Sequence, residues 1–502
     1  MGKWHYRRIV MVFTHWRARR RYGNLAARQL PTIASTMPDC SIRSLTSARA
    51  RICRFALLAA MLLPFAAAQA GKAAPKPLMM LISIDGLKPE AVLQADGHGL
   101  KLPNLRAFLL DGVYATGVRG VLPTLTYPSH MTILTGASPA NHGIYGNTTF
   151  DPLNRNDKGW YWYTEDVRVP TLWDAASAAH LRTANVYWPT SVGAHITYNL
   201  PQIWRSGSDD DLKLQRALST PGLERELSRG RSPDLGRYPG GMEETVAEDE
   251  IRARYAIRLI EIKHPDFMTV YMTGLDTEQH LSGPFSAQAN AVLERIDAII
   301  GSLRAASEAA APGAATICVV SDHGFAAVEH DVNLYSAFLS AGLFSVDEAQ
   351  KITGWLAKPW PAGGSAAIMI ADPKDEKLRT RVGDLLNQLA SDPANGIERV
   401  WTHEEIVAAR GFPQAAYLVS FRAGYEFGYA LGPPLVSAPT NLGMHGYPPD
   451  RPEMRSSFFL VGPRVPAARS LGEIEMRQIA PTLAKLLHVP LAGAELGPLP
   501  LR

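Results

Sequence analysis

The chain has 502 residues, 46% of them hydrophobic, which is long enough for a large packed core and too apolar for a disordered protein. Its formal charge of +4 misleads: the first 70 residues hold 12 of the 51 Lys and Arg and a single acid, Asp39, so the rest carries 39 bases against 46 acids, a formal −7. A positive total of that origin excludes any argument from charge toward a nucleic-acid polymer or an anionic membrane, and three cysteines exclude a disulfide scaffold.

Residues 1–36 are rich in arginine and read as an extended leader or the product of a misplaced start codon, since Met37 would begin a signal of ordinary length. Residues 37–70 read as a signal peptide: Arg49, Arg51 and Arg54 precede the apolar run Phe55 to Ala67, and Ala68-Gln69-Ala70 sets cleavage before Gly71. That run is short for a membrane span and contains Pro64, so no stable membrane anchor is expected and the protein is placed in the periplasm or outside the cell. Cys40 and Cys53 would leave with the leader, whereas Cys318 lies in an apolar run and is expected to be a buried structural thiol.

The run Leu78-Met79-Met80-Leu81-Ile82-Ser83-Ile84 has the length and apolarity of a strand buried on both faces, and Asp85-Gly86 closes it. In Thr124-Leu125-Thr126-Tyr127-Pro128 the proline predicts a first helical position, with Tyr127 near the N-cap and the helix continuing from Ser129. Further strands are predicted at Thr183–Trp188, Phe267–Met272, Thr316–Val320, Ala367–Ile370, Tyr417–Phe421 and Ser457–Val461, with helices at Ala287–Ala305 and Glu473–Leu487. The alternation predicts an α/β fold, a three-layer α/β/α sandwich whose central sheet is mainly parallel. Residues 148–250 and 325–440 read as insertions able to roof a site. The first holds an aromatic cluster, Trp160 to Tyr163, read as the packing of a small lid rather than a substrate platform.

Four distant segments carry metal-ligand residues beside strand-like sequence: Asp85, Asp276 with His280, Asp322 with His323, and His445 between glycines. Three aspartates and three histidines suit zinc, which takes carboxylate oxygen and imidazole nitrogen alike; calcium or magnesium would want more oxygens. Asp276 and His280 are four residues apart, so one face of a helical turn presents both to one ion. Singly, each has an ordinary reading: an acid four before a histidine is common on solvated helices, Asp85 and Asp322 suit N-caps or turns, and His445 suits a loop. Two acids at strand ends weigh more together, because open α/β sheets bind ligands at that edge. His130, His142, His264 and His330 extend no ligand pattern and are expected to be structural or exposed, although His130 and His142 lie close enough to the Thr126 segment for a minor supporting role.

Asp85, Thr126, Asp276, His280, Asp322, His323 and His445 stand in the order and context of the nucleotide pyrophosphatase/phosphodiesterase family of the alkaline phosphatase superfamily, which the chain resembles from about residue 77 to 490. Pro123 to His130, continuing through Thr135-Gly136 and Asn141-His142-Gly143-Ile144, is a highly specific part of the resemblance. It implies a single alkaline phosphatase-like catalytic domain over residues 71–502 and two Zn²⁺ ions. Asp276, His280 and His445 would hold one, and Asp85, Asp322, His323 and the Thr126 oxygen the other. It further implies Asn147 on a non-bridging phosphate oxygen and Tyr127 and Tyr271 as rings around a nucleobase, although Tyr271 also reads as a plain buried-strand tyrosine. Two positions depart from the family pattern: Ser129 stands where asparagine is usual, and Gln279 where glycine is.

The chemistry is coherent on its own terms. A divalent cation lowers the pKa of a bound oxygen acid, so a threonine can attack phosphorus at neutral pH, and a second ion about 4 Å away stabilises the leaving oxygen. Two zinc ions against three carboxylates and one alkoxide leave the site near neutral, suited to a singly charged diester. The uncharged Tyr127 stands where alkaline phosphatases grip a dianionic monoester with arginine, and the Cys-x-Pro-x-Arg setting of sulfatases is missing. The expected protein is an exported two-zinc hydrolase of phosphodiester or pyrophosphate bonds in nucleotides or similar small molecules, acting through a phosphothreonine. A phosphomonoesterase or phosphonate hydrolase of the same superfamily is the alternative. A non-catalytic zinc-binding protein, which would have no use for Thr126, is the least favoured.

Overall fold

The computed structural model describes residues 77–156, 159–203, 209–229 and 245–501; the leader and signal readings lie outside them, as does the middle of the charged stretch in the first insertion. Strand β1 (Leu78–Ile84) is buried along its whole length because both its faces are covered. Met80, Ile82 and Ile84 point into one apolar layer and Met79 and Leu81 into the other. Seven strands join it: β2 (Val113–Tyr114), β3 (Thr183–Val186), β4 (Tyr198–Leu200), β5 (Phe267–Met272), β6 (Ala315–Val320), β7 (Phe458–Val461) and β8 (Arg469–Ser470). Their spatial order is β8-β2-β7-β6-β1-β5-β3-β4, and only β7 runs against its neighbours.

Helix α1 (Thr126–Thr135) packs on one face and α2 (Val246–Lys263) on the other, followed by the short α3 (Gly274–Ser282). Helix α4 (Ala287–Ala310) joins the layer of α2, and α5 (Ile479–Leu487) that of α1, which completes the expected three layers. Cys318 lies within β6, fully buried, and burial pushes its thiol up. Among the described residues no helix is long and apolar enough to cross a membrane.

The strands predicted at 367–370 and 417–421 form, but outside the central sheet. Ser365–Ile370 pairs antiparallel with Ala357–Pro361 and with Tyr417–Phe421, and Ile397–Thr402 completes a separate four-stranded sheet over its own apolar core in the second insertion. Apolar length marks a buried strand but does not say which sheet supplies its partner. The helix predicted from Glu473 begins instead as a strand, Glu473–Glu475, paired with Gly117–Arg119, and turns helical at Ile479. Pro128 occupies the third position of α1 rather than the first, with Leu125 as N-cap. The whole first turn lacks intrahelical N–H partners, so a proline fits there without losing a bond.

Strands Ala326–Val332 and Gly424–Phe427 set two buried acids, Asp331 and Glu426, opposite each other. Asp331 accepts from the Thr440 amide at 3.1 Å and Glu426 from the Asn441 amide at 3.1 Å, which pins the segment leading to His445. Burial pushes Glu426 up to about 8 against the opposing pull of those Asn441 hydrogen bonds. Its folded pKa is thus raised: between an unfolded value near 4.5 and about 8, the folded chain keeps a proton that the unfolded chain has released. Stability contributed by that proton is complete below the lower value and declines as pH rises, by up to about 1.4 kcal/mol per pH unit. Glu426→Gln mimics the protonated acid, so melting curves should coincide with wild type at a pH below the unfolded value near 4.5 and lie higher at pH 8. Coincident curves at pH 8 would contradict this.

Candidate active site

Strands β1 and β6 are parallel neighbours, so the polar residues following them, Asp85 and Asp322-His323, emerge side by side at one edge of the sheet. On the other flank of β1, β5 leads into α3, which turns Asp276 and His280 toward the same edge. The start of α3 is capped from α2 by Asp249, which accepts from the amides of Thr273 at 2.9 Å and Gly274 at 2.8 Å. A Cβ on Gly274 would lie 2.6 Å from the Val246 nitrogen, so only glycine permits this approach. His445 enters on a loop where Gly446, at φ +84°, runs so close to the Ala362 carbonyl that a side chain could not fit.

Two groups result, each with its ligand atoms within 4.8 Å of one another: Asp276, His280 and His445, and Asp85, Asp322 and His323. In the first, Asp276 lies 3.4 Å from His280 Nε2 and 3.7 Å from His445 Nε2. In the second, His323 Nε2 is 3.1 Å from Asp322 Oδ2, 3.3 Å from Asp85 Oδ1 and 3.4 Å from Thr126 Oγ1. The groups adjoin, because the His323 and His445 rings stack 3.6 Å apart.

Each histidine turns its Nδ1 to a backbone carbonyl: His280 to Gly443 at 2.9 Å, His323 to Gly324 at 3.2 Å and His445 to Thr124 at 3.1 Å. A carbonyl can only accept, so Nδ1 carries the proton and Nε2 offers its lone pair to the centre. Asp85 Oδ1, Asp276 Oδ1 and Asp322 Oδ2 are buried without a hydrogen-bond partner. Lone pairs thus face lone pairs, which is unfavourable unless positive charge sits between them. Burial, then the charges of Asp276 and Asp322, push Asp85 well above the usual carboxylate range, and burial raises Asp276 as well. Burial and the neighbouring His323 and His280 hold His445 well below its ordinary value. This donor set of imidazole nitrogens and carboxylate oxygens fits divalent cations.

Thr126 is the first residue of α1 and its side chain faces the second group. The Tyr127 amide donates to Asn147 Oδ1 at 3.0 Å, which leaves Asn147 Nδ2 as a donor beside the helix N-terminus. His130, expected to be structural or exposed, is fully buried beneath Thr126: Nδ1 donates to the Thr126 carbonyl at 2.7 Å and Nε2 accepts from Ser83 Oγ at 2.9 Å. Its position four residues after Thr126 was the available signal. Burial pushes His142 down to about 3; its Nδ1 accepts from the Ile144 amide at 3.1 Å and its Nε2 meets the Thr132 hydroxyl of α1 at 3.2 Å, while His264 ends α2 and His330 lies against Tyr425.

Neither predicted base-stacking ring has an open face. Tyr271 is fully buried and donates its hydroxyl to Asp85 in a short hydrogen bond, because β5 points it beneath β1. Tyr127 is also fully buried, bonded to Gln202 at 3.2 Å and covered by Trp160 at 5.4 Å between centroids. Trp160, from the aromatic cluster read as lid packing, is half-buried and lies against the ring that follows Thr126.

Gln279 ties the two groups together. From between Asp276 and His280 its Nε2 donates to the Gly86 carbonyl at 3.0 Å, while the Gly86 amide donates to Asp322 Oδ1 at 3.2 Å. Gln279→Met keeps the length and removes the donor. It should weaken metal retention in chelator competition by about 10–100-fold, the usual cost of losing an outer-shell partner. An unchanged competition curve would show that the strut is dispensable.

Residues 79–448 match the profile of type I phosphodiesterases / nucleotide pyrophosphatases. The chain belongs to this type I phosphodiesterase family. Among relatives, ectonucleotide pyrophosphatase/phosphodiesterase family member 1 of Rattus norvegicus is 26% identical over 258 residues, 49% of this chain and 24% of that protein. The chain thus spans about a quarter of that relative's length. An uncharacterised pyrophosphatase/phosphodiesterase of Schizosaccharomyces pombe is 23% identical across 84% of this chain and 80% of its own. Murine ectonucleotide pyrophosphatase/phosphodiesterase 5, solved as an inactive threonine-to-alanine variant with AMP, superposes with a TM-score of 0.58 at 19% identity, covering 83% of this chain and 96% of that one. At that identity the likeness is one of fold, the alkaline phosphatase-like architecture of the type I phosphodiesterases.

Proposed function

We propose that this type I phosphodiesterase hydrolyses phosphodiester or pyrophosphate bonds of nucleotides with Thr126 as covalent nucleophile and two zinc ions as cofactors. The observation that carries the reading is the convergence of three Nε2 lone pairs, three unpartnered carboxylate oxygens and the Thr126 hydroxyl at one helix N-terminus. Asp276, His280 and His445 would hold one ion and Asp85, Asp322, His323 and Thr126 Oγ1 the other. Bound there, the ions would supply the charge that makes the threonine hydroxyl acidic and neutralises the phosphate.

Thr126 Oγ1 attacks phosphorus as the bond to the leaving oxygen breaks, and water then cleaves the phosphothreonine and restores the hydroxyl. His130 fixes the backbone of the nucleophile through the Thr126 carbonyl. Asn147 Nδ2 and the Thr126 amide hold the non-bridging oxygens, since the Tyr127 amide is given to Asn147, Pro128 has no N–H and the Ser129 amide bonds the Leu125 carbonyl. Tyr271 orients Asp85, and Trp160, which covers Tyr127, forms the aromatic side toward a base. A nucleotide substrate is supported by the names of the relatives and by AMP in the murine structure. Export to the periplasm or beyond, from a signal over residues 37–70 and a catalytic domain over 71–502, belongs to the same reading.

The test compares kcat/KM of the zinc-loaded protein for p-nitrophenyl-thymidine monophosphate, bis-p-nitrophenyl phosphate and p-nitrophenyl phosphate. Preference for the nucleotide diester is expected. Preference for the monoester would move the protein to the phosphatase alternative.

A further inference from the structure

We propose that Phe325, clamped by Lys88, is a positioning residue that sets the distance between the two ligand groups and so between the ions they hold. The proposal rests on the two-ion reading above and assigns the part of the fold that fixes the spacing. Two ions serve one displacement only across a defined gap, one at the attacking oxygen and the other at the leaving oxygen. The sheet fixes half of that geometry. Parallel pairing of β1 with β6 sets Asp85 beside Asp322-His323, but the pairing of β1 with β5 ends at Met272, before α3 turns out Asp276 and His280. Beyond the Gln279 tie, packing must place the second group against the first.

Phe325 lies where that packing converges. It is fully buried, two residues after His323, and its ring meets all three ligand histidines: His280 at 4.8 Å and His445 at 5.4 Å edge to face, and His323 at 6.0 Å tilted. A Cβ on Gly86 would lie 3.0 Å from the ring and one on Gly443 3.1 Å, so the segments carrying Asp85 and His445 close on it from two further sides. Ala326 and Ala327, next in the chain, pair with Met444 and Gly443, so a single stretch of backbone runs from His323 of one group to the neighbours of His445 in the other. A phenyl ring has no lone pair to give an ion. Rigid and close-packed, it transmits position instead.

Lys88 holds this wedge from the Asp85 side. Three residues after Asp85 and 7% exposed, it donates from Nζ to the Phe325 carbonyl at 3.0 Å and pairs with Glu90 at 2.9 Å. Its ammonium lies 5.2 Å from the centroid of Phe285, a ring that stacks on His98 at 3.9 Å. Phe285 stands at φ +61°, a left-handed backbone that a bulky residue adopts only where its surroundings hold it there. A carboxylate and a ring thus secure a buried cation whose donor fixes one backbone carbonyl, and that carbonyl belongs to the residue at the junction of the two groups.

Mn²⁺ serves as the probe. Wild type, Phe325→Leu and Lys88→Met are saturated with Mn²⁺ and the dipolar coupling between the bound ions is read by electron paramagnetic resonance, with metal per chain and the melting temperature in chelator measured alongside. The coupling falls with the cube of the separation, so about 1 Å of movement on a separation of about 4 Å changes it about twofold. Both variants keep the acids and histidines of the two groups and should hold two ions, with the coupling shifted about twofold or spread over a range. In the zinc form, kcat for p-nitrophenyl-thymidine monophosphate should fall about 10–100-fold while KM changes little. A phenylalanine that only filled the core would lower the melting temperature and leave the coupling where it was. Coupling equal to wild type in Phe325→Leu, or loss of one ion from it at saturating Mn²⁺, overturns the proposal, and a change in Phe325→Leu alone overturns the part given to Lys88. If Phe325→Leu does not fold, Lys88→Met decides by the same criteria. Wild type that holds fewer than two Mn²⁺ per chain would instead overturn the two-ion reading itself.

Discussion

Thr126→Ala should lower kcat/KM for nucleotide diesters by about 10⁴-fold or more, the scale on which loss of a covalent nucleophile is felt. The fold should barely register it. Thr126 opens α1 without acting as its N-cap, alanine is the best helix former, and the Oγ1 contact is with His323 Nε2 at 3.4 Å. The six acids and histidines of the two groups stay in place, so metal content should stay near that of wild type. Three readings separate a chemical role from a structural one: metal per chain, melting temperature, and phosphothreonine trapped by acid quench in wild type but absent from the variant. Thr126→Ser restores a hydroxyl and should recover part of the lost rate. Turnover by the alanine variant at a rate near wild type would remove Thr126 from the mechanism.

Legibility in sequence followed the physics of each signal. β1 and β5 were readable to the residue because strands buried on both faces are unbroken apolar runs. Asp85, Asp322 and His323 were readable because they interrupt such runs at the ends of adjacent parallel strands. The second sheet was not readable, since Ala367–Ile370 and a central strand share one pattern and differ only in pairing partner. His130 and Gln279 showed in sequence only as places, four residues after Thr126 and between Asp276 and His280: each acts through a backbone carbonyl, of Thr126 and Gly86, and a carbonyl leaves no mark there. Tyr271 was matched by order along the chain, and only the pleat of β5 shows that its hydroxyl goes to Asp85.

Asp85→Asn should move activity and stability in opposite directions. Asp85 is 2% exposed, its Oδ1 has no hydrogen-bond partner, and its carboxyl is raised by burial and by the charges of Asp276 and Asp322. That arrangement is costly without a cation and valuable with one. The amide keeps the shape and still accepts from Tyr271, but removes one of three buried charges that repel one another. With metal supplied, affinity at the His323 group should collapse, metal per chain should fall from two toward one, and kcat/KM should drop by about 10³-fold or more. In chelator the sign reverses: the variant should be the more stable by about 1–3 kcal/mol, the usual cost of a buried polar group left unsatisfied. A variant less stable than wild type in chelator would mean that Asp85 holds the fold through Tyr271 and is not kept for the ion. A structural acid and a ligand acid are separated by this sign, because strain at a functional centre is relieved by the same substitution that destroys the function.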